Sequence, residues 1–370
     1  MEKIQKEERL PVEREVNRYQ GCLLGLAVGD AMGYTIDEKT WQEIQTAYGP
    51  NGLLGYDIAN GVVELSSYTQ LAAYTANGLL VALTRGRREY YLRYVTLALK
   101  DWLRSQQFYR DPEKPLCWVS RLPEFRRRHC RDSRMLDTLR TEALGTPSRP
   151  RNQNAAPGAL TTAVALGLSF QPERMDPAFL GVLAAQTMAL THGNPETILS
   201  SVVLAYTIAG ILQEPELPLQ QQFSQSIAAM EGQFSREFPQ AAGLSDMLLQ
   251  VVEGDKTGSR EAMESLHCQT ADQCLAGAMY ASLACHGDFD TGMILSVNHS
   301  GRSSAVGAVT GAILGAQLGA EALPEFYLEG LEGVQPLREL AEDLAKGSPA
   351  SGFFDDDWDH KYTQGLPSGG

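Results

Sequence analysis

Apolar residues recur with helical spacing along most of this chain. Ten stretches place them at intervals of three and four residues, which puts them on one face of a helix. These stretches cover residues 16–33, 69–84, 89–106, 158–170, 177–190, 196–212, 218–234, 271–285, 304–319 and 336–345. Strand-like alternation is nearly absent, and segment 61–65 predicts at most one short extended piece. The pattern predicts an all-α fold.

Two of the predicted helices carry glycine at every fourth position. The first has Gly21, Gly25, Gly29 and Gly33, and the second has Gly307, Gly311, Gly315 and Gly319. Residues at i and i+4 share a helix face, so each set forms a bare ridge that another backbone can approach closely. A glycine within a helix costs about 0.5–1 kcal/mol relative to alanine. We therefore expect compensating close packing, which would also bring the ends of two sequence-distant helices to one central site.

Two segments break the helical periodicity. Residues 107–154 contain five prolines and a series of arginines, and only 133–143 has helical spacing. We expect this segment to be a long basic excursion from a single domain spanning residues 1–347. A solvated surface is the usual role of such a segment, and a phosphate-facing role is the alternative. The acidic residues and the closing LPSGG of 348–370 predict a flexible tail.

Charge and composition exclude several classes of protein. The 370-residue chain has a formal net charge of −14, which disfavours nucleic acids and anionic membranes because both repel a polyanion. Its first 20 residues lack the apolar centre of a signal peptide, and no stretch offers about 18 uninterrupted apolar residues. The six cysteines are scattered without a CxxC pair. We expect a cytoplasmic protein, monomeric or weakly homo-oligomeric, with no nucleic-acid or membrane partner.

Several sequence blocks, in the same order, resemble the ADP-ribosylglycohydrolase family. They are GCLLGLAVGDAMG at 21–33, YTQLAAYTANGLL at 68–80, NAAPGAL at 154–160, THGNP at 191–195 and VNHSG at 297–301. The resemblance extends from about residue 21 to about residue 345. It implies a compact multi-helix orthogonal bundle around a central cleft. In active members that cleft holds two magnesium ions, which position ribose hydroxyls and a water for cleavage of a glycosidic bond.

The carboxylates of the family's two metal-binding motifs are missing from this chain. Where the family has Thr-Asp-Asp-Thr, residues 66–69 read SSYT, and where it has Gly-Asp-x-Asp-Thr, residues 301–305 read GRSSA. The vacated ligand positions are therefore Ser66, Ser67, Tyr68, Arg302 and Ser304. An arginine places a permanent positive charge where dications would sit. We expect no magnesium pair and no other cofactor. A literal match to the second motif, GDFDT at 287–291, lies upstream of the expected position.

The resemblance and the residue chemistry together select candidate site residues. If the protein is active, Asp37 and Asp30 are the candidate catalytic carboxylates. The candidate ligand-binding residues are Tyr68, Asn154, Gly158, His192, Asn298, His299, Ser300, Gly301, Arg302 and Ser303. Arg302 either fills the metal space and neutralises carboxylates such as Asp30, or binds a ligand phosphate or carboxylate. Structural alternatives are a hydrogen-bonding role for His192 and a packing role for Tyr68.

The leading hypothesis is a degenerate member of the family that lacks the magnesium pair and magnesium-dependent hydrolysis. Such a protein would keep its cleft for ADP-ribose, a related nucleotide sugar or a protein partner, and would not be an enzyme. One alternative is an active, metal-independent N- or O-glycoside hydrolase acting on ADP-ribosyl or nucleoside-like substrates, with Asp37 or Asp30 as general acid or base. A second alternative is a structural or interaction protein whose cleft is closed by Tyr68 and Arg302.

Overall fold

A computed structural model describes residues 15–58, 61–86, 90–107, 115–347 and 356–363. Within these ranges the chain forms 17 α-helices and three 3-10 helices, and it has no strand. At the predicted extended piece, 61–65, Val63 forms an isolated parallel bridge with Leu331. The predicted all-α fold is confirmed.

The helices agree with the hydrophobic periodicity and add several short elements to it. In chain order they are α1 (Val16–Tyr34), α2 (Trp41–Tyr48), α3 (Ser67–Arg85), α4 (Tyr90–Ser105), α5 (Ser133–Arg140), α6 (Thr162–Leu168), α7 (Pro177–Ala189), α8 (Pro195–Gln213), α9 (Leu219–Phe234), α10 (Ala241–Glu253), α11 (Arg260–Ser265), α12 (Ala271–Ala284), α13 (Phe289–Val297), α14 (Ser303–Leu318), α15 (Glu325–Leu328), α16 (Val334–Lys346) and α17 (Asp356–Tyr362). Each of the ten predicted stretches coincides with one of these helices to within four residues at either end. Among the helices that the periodicity did not predict, α2, α11 and α13 are short and begin at side-chain caps, such as Asp288 before α13.

Helices α1 and α14 pack against each other backbone to backbone. The facing pairs are Gly21 with Gly315, Gly25 with Gly311, Gly29 with Gly307 and Gly33 with Ser303. A Cβ built on any of these four α1 glycines would lie within 2.4 Å of the carbonyl oxygen of its partner. The pairing order makes the helices antiparallel, so the end of α1 lies beside the start of α14. The predicted packing role of both glycine ridges is confirmed.

Helix α8 has the length and composition of a membrane span. It is the one such helix in the described ranges, although threonine, serine and tyrosine interrupt its apolar residues. In this structure 72% of its most apolar window is buried within the protein. Helices α6, α7 and α9 pack around it, so its apolar surface serves as core.

Part of the acidic tail is folded, which corrects the expectation that all of 348–370 is flexible. Trp358 and Tyr362 of α17 are buried, and the Trp358 indole donates a hydrogen bond to Thr84 Oγ1 at 3.1 Å. Lys361 forms ion pairs with Glu339 at 3.0 Å and with Asp357 at 2.8 Å. The two aromatic residues, four apart, give this acidic helix an apolar face. The rest of the predicted tail, 348–355 and 364–370, lies outside the described residues.

Candidate ligand cleft

A cleft of about 260 Å³ lies beside the junction of α1 and α14. Five parts of the chain line it: residues from 34–38 at and beyond the end of α1, residues 66–68 at the start of α3, residues 129–135, residues from 154–158, and Arg302. The glycine ridges bring the first and last of these together, because they place the end of α1 against the start of α14. The candidate residues that line the cleft are Asp37, Ser66, Ser67, Tyr68, Asn154, Gly158 and Arg302.

Asp30 is fully buried and joins three helices. One carboxylate oxygen accepts hydrogen bonds from the amide of Ser66 at 3.0 Å, the amide of Thr69 at 3.0 Å and the hydroxyl of Thr69 at 2.6 Å. The other accepts from Ser304 Oγ at 2.5 Å and from the Ser66 hydroxyl. Every one of these donors is a neutral group. The charge of Asp30 is therefore balanced by hydrogen bonds from α3 and α14.

Arg302 has a different partner from the one expected. Its guanidinium pairs with Glu38 in the turn after α1, whereas the expectation named Asp30 as a carboxylate for it to neutralise. The reason is positional: Asp30 lies within the helix contact and is already hydrogen bonded, while Glu38 lies at the cleft. The Arg302 side chain is 30% exposed and the Glu38 side chain 46% exposed.

Asp37 lies at the first turn of α14. Its Oδ1 accepts a hydrogen bond from the Ser304 amide at 3.1 Å, at the helix end whose dipole favours a negative charge. Burial nevertheless raises the pKa of Asp37 to about 6, against the lowering effects of that hydrogen bond and of the Arg302 charge. Near neutral pH this carboxyl can therefore both donate and accept a proton, which is what a general acid or base requires.

The basic excursion forms one wall of the cleft. Tyr34 stacks on His129 with ring centroids 5.1 Å apart and an interplanar angle of 14°, and the Arg131 guanidinium lies 5.3 Å from the Tyr34 ring centroid. Arg134 also lines the cleft, and both arginines are exposed. The segment is thus more than solvated surface, because its residues 129–135 face the cleft while Cys117, Val119 and Phe125 are buried. Residues 108–114 of the predicted excursion lie outside the described ranges.

Asp132 anchors this wall to the neighbouring loops. Its Oδ1 accepts the Met135 amide at 3.0 Å and so caps α5, while its Oδ2 accepts from Asn154 Nδ2 at 2.7 Å and from His192 Nε2 at 3.2 Å. Burial opposes ionisation of Asp132, but the His192 hydrogen bond and charge and the other donors lower its pKa to about 2. His192 is fully buried, and its Nδ1 lies 2.8 Å from Thr191 Oγ1. This geometry gives His192 a positioning contact behind the cleft wall.

Six candidate ligand-binding residues do not line the cleft. They are His192, Asn298, His299, Ser300, Gly301 and Ser303. Asn298 bonds both backbone groups of Leu53, at 2.8 and 2.9 Å. His299 is buried, and burial lowers its pKa to about 4. Residues 298–301 connect α13 to α14. The motif that resembles the family's second metal-binding motif is therefore mostly covered by neighbouring elements.

Sequence reasoning did not select several residues that line the cleft. They are Tyr34, Glu38, His129, Arg131, Asp132 and Arg134. A signal existed for Asp132, since an aspartate directly before a predicted helix is a typical N-cap. Tyr34 and Glu38 lie within three residues of Asp37 in the sequence. For His129 and the two arginines the sequence offers no periodicity that would orient them toward a cleft.

The literal GDFDT match at 287–291 has structural contacts away from the cleft. Asp288 caps α13 by accepting the Thr291 amide at 2.7 Å. Asp290 accepts the Tyr327 hydroxyl at 2.6 Å. Across the ranges that the structure covers, no group of three or more histidine, cysteine, aspartate or glutamate side chains is arranged to hold a metal ion.

Comparison with known proteins relates this chain to the ADP-ribosylglycohydrolase family. A family model described as ADP-ribosylglycohydrolase matches residues 11–352. A solved structure titled "ADP-ribosylglycohydrolase-related protein complex" superimposes with a TM-score of 0.55 at 24% sequence identity, and the match covers 90% of this chain and 98% of that chain. At this identity the likeness concerns the fold. No curated protein matches the chain.

Proposed function

This chain belongs to the ADP-ribosylglycohydrolase family, and we propose that it is a binding protein that has lost the family's hydrolytic chemistry. In this proposal the cleft takes ADP-ribose or a related nucleotide sugar without a magnesium pair. The family fold provides the cleft, and the residues at the former metal-ligand positions leave it able to bind a ligand but not to hold the magnesium pair.

The hydrogen-bond network around Asp30 carries this proposal. A carboxylate has about four lone-pair sites, and Asp30 accepts hydrogen bonds from five donors on Ser66, Thr69 and Ser304. Two of these residues, Ser66 and Ser304, belong to the vacated motifs. A metal ion that used Asp30 would have to displace donors that hold three helices together. The serines thus support a metal-free arrangement of this end of the molecule.

The remaining donors fit a magnesium pair poorly. Hard dications prefer several carboxylate or carbonyl oxygens, but the motif positions facing the cleft hold Ser66, Ser67, Tyr68 and the positively charged Arg302. The two carboxylates that line this side, Asp37 and Glu38, are engaged by the Ser304 amide and by Arg302. We therefore assign no reaction step to a metal ion.

The cleft offers groups suited to part of a nucleotide sugar. Asn154 and Ser67 present polar side chains, and Tyr34 presents an aromatic ring beside Arg131. Its volume of about 260 Å³ lies just below the ~300–1,000 Å³ typical of small-molecule pockets. That size suits a sugar with an attached phosphate, with the rest of a larger ligand extending toward solvent.

Calorimetric titration with ADP-ribose tests the proposal. We expect binding that is equal, within about twofold, in millimolar Mg²⁺ and in EDTA. Tyr68→Ala and Asn154→Ala should weaken it, whereas Gln225→Ala, in a separate groove lined by α7, α8 and α9, should leave it unchanged. Binding that requires Mg²⁺ would overturn the metal-free proposal. An absence of binding would favour the protein-interaction alternative.

The raised pKa of Asp37 favours one second candidate, a metal-independent glycoside hydrolase. Asp37 lines the cleft and can exchange a proton near neutral pH, so it meets the first requirement of a general acid. Incubation with ADP-ribosylated arginine in EDTA separates the two functions. Under our proposal no ADP-ribose is released. Release that Asp37→Asn abolishes, without loss of ADP-ribose binding, would establish the hydrolase instead.

A further inference from the structure

We infer that Glu38 is an internal, displaceable anion at this cleft, and that its carboxylate occupies on Arg302 the place that a ligand phosphate takes. The inference rests on the proposed function, because it concerns the same cleft. It adds a ligand class, phosphorylated sugars and nucleotides, and a built-in competitor that limits their affinity.

The Arg302–Glu38 ion pair joins two elements across the cleft. Glu38 belongs to the turn between α1 and α2, and Arg302 immediately precedes α14; both residues line the cleft. With side chains 30% and 46% exposed, the pair is open to solvent. Exposed ion pairs contribute little to stability, because water and salt screen the two charges. A doubly charged phosphate that binds a guanidinium through two oxygens can therefore replace a single carboxylate.

The backbone of Glu38 sets this residue apart from an ordinary surface glutamate. Its φ is +66°, in the left-handed region that glycine, asparagine and aspartate adopt most readily. A glutamate there is held against a steric cost, because its Cβ approaches the following carbonyl oxygen. The turn thus places a carboxylate beside Arg302, although the left-handed backbone at position 38 favours glycine, asparagine or aspartate.

The cleft also has unused capacity to bind an anion. The Nε–H of Arg302 is buried and has no hydrogen-bond partner within the described part of the chain. Arg131 and Arg134 line the same cleft, and in the described ranges neither forms an ion pair with a carboxylate. The other lining carboxylates, Asp37 and Asp132, accept hydrogen bonds from Ser304 and His192. Displacement of Glu38 would therefore free the guanidinium of Arg302 in a cleft that Arg131 and Arg134 also line.

The substitution Glu38→Gln removes the competing charge and preserves the shape of the side chain. We expect its affinity for inorganic phosphate and for ribose 5-phosphate, measured by calorimetry at low salt, to rise about fivefold over the unsubstituted protein. Affinity for unphosphorylated ribose should not change. Arg302→Gln should lower phosphate affinity about tenfold. Glu329→Gln, an equal change of charge at an exposed residue that does not line the cleft, should have no effect.

These titrations test the internal-anion inference and the proposed function separately. If Glu38→Gln binds phosphate no more tightly than the unsubstituted protein, or if Glu329→Gln gives the same gain, the internal-anion inference is wrong. The titration with ADP-ribose then still tests the proposed function independently. If no variant binds ADP-ribose but Glu38→Gln gains phosphate affinity, the proposed function fails and the anion site stands.

Discussion

The hydroxyl of Ser304 donates a hydrogen bond to the carboxylate of Asp30 at 2.5 Å, across the contact between α14 and α1. Both side chains are short, so the bond requires that the two helix backbones lie very close. The glycine ridges provide that closeness, since Gly29 and Gly33 flank Asp30 on α1 and lie against Gly307 and Ser303. The packing of the fold and the hydrogen-bond network around Asp30 therefore depend on the same helix contact.

Substitution of a ridge glycine should destabilise the protein severely. A Cβ on Gly25 would lie 2.1 Å from the carbonyl oxygen of Gly311, and only a shift of a helix backbone could relieve that clash. We expect Gly25→Ala to lower the free energy of unfolding by about 3 kcal/mol or more. The matched control is Gly232→Ala in α9, where nothing lies within 4 Å; there helix propensity should add up to about 1 kcal/mol. Urea unfolding of both variants measures the difference, and similar stabilities would refute the backbone-contact account.

Removal of the Asp30 charge should also destabilise the fold, because neutral donors converge on it. Asp30→Asn replaces one acceptor oxygen by an NH₂ group, which would face donors from Ser66, Thr69 or Ser304. We expect a loss of about 2–4 kcal/mol of unfolding free energy. Asp246→Asn, at an exposed position of α10, should change it by less than about 0.5 kcal/mol. Equal effects in the two variants would show that the buried network contributes nothing.

The glycine spacing predicted that each ridge packs closely against another backbone, because residues at i and i+4 share one helix face. The structure adds that the two ridges face each other. The cleft wall could not be predicted in the same way. The contact of Asp132 with His192 joins residues 60 positions apart, and no local pattern encodes it. Residues 129–132 have no regular periodicity, so the direction of the Arg131 side chain depends on packing by Tyr34 and His129. Because α17 is rich in acidic residues, its sequence did not indicate that Trp358 packs on Tyr362, four residues further along the helix.

Helix α17 should detach from the rest of the protein when the side chain of Trp358 is removed. Trp358 is 6% exposed and packs on Tyr362 with ring centroids 4.7 Å apart, and α17 also holds Lys361 at 5.4 Å from the ring centroid of Trp118. We expect Trp358→Ala to release α17 and to increase amide hydrogen exchange of the 3-10 helix at Trp118–Arg121 at least tenfold. Exchange in α1 and α14 should stay unchanged. Asp356→Asn, an exposed position on the same helix, serves as the control. Unaltered exchange at Trp118–Arg121 in Trp358→Ala would show that α17 does not support the excursion.

The raised pKa of Asp37 predicts how stability depends on pH. Burial raises this pKa from 3.8 to about 6, so the folded protein binds an extra proton between about pH 4 and pH 6. The stability that this group contributes is complete below its unfolded-state pKa and is lost as the pH rises through 6. Asp37→Asn cannot titrate and still offers an oxygen to the Ser304 amide. Its unfolding free energy relative to the unsubstituted protein should therefore increase by about 2 kcal/mol between pH 4 and pH 7.5, after allowance for partial solvent exposure.

Chemical denaturation of both proteins across this pH range measures that difference directly, because all other titrating groups are common to the two. Asp246→Asn, at an exposed position that does not line the cleft, is measured alongside as the control for the loss of one carboxylate. A difference that stays constant for Asp37→Asn would mean that Asp37 titrates at its ordinary pKa. In that case Asp37 would be ionised throughout the neutral range, and the hydrolase alternative would lose the protonated acid on which it depends.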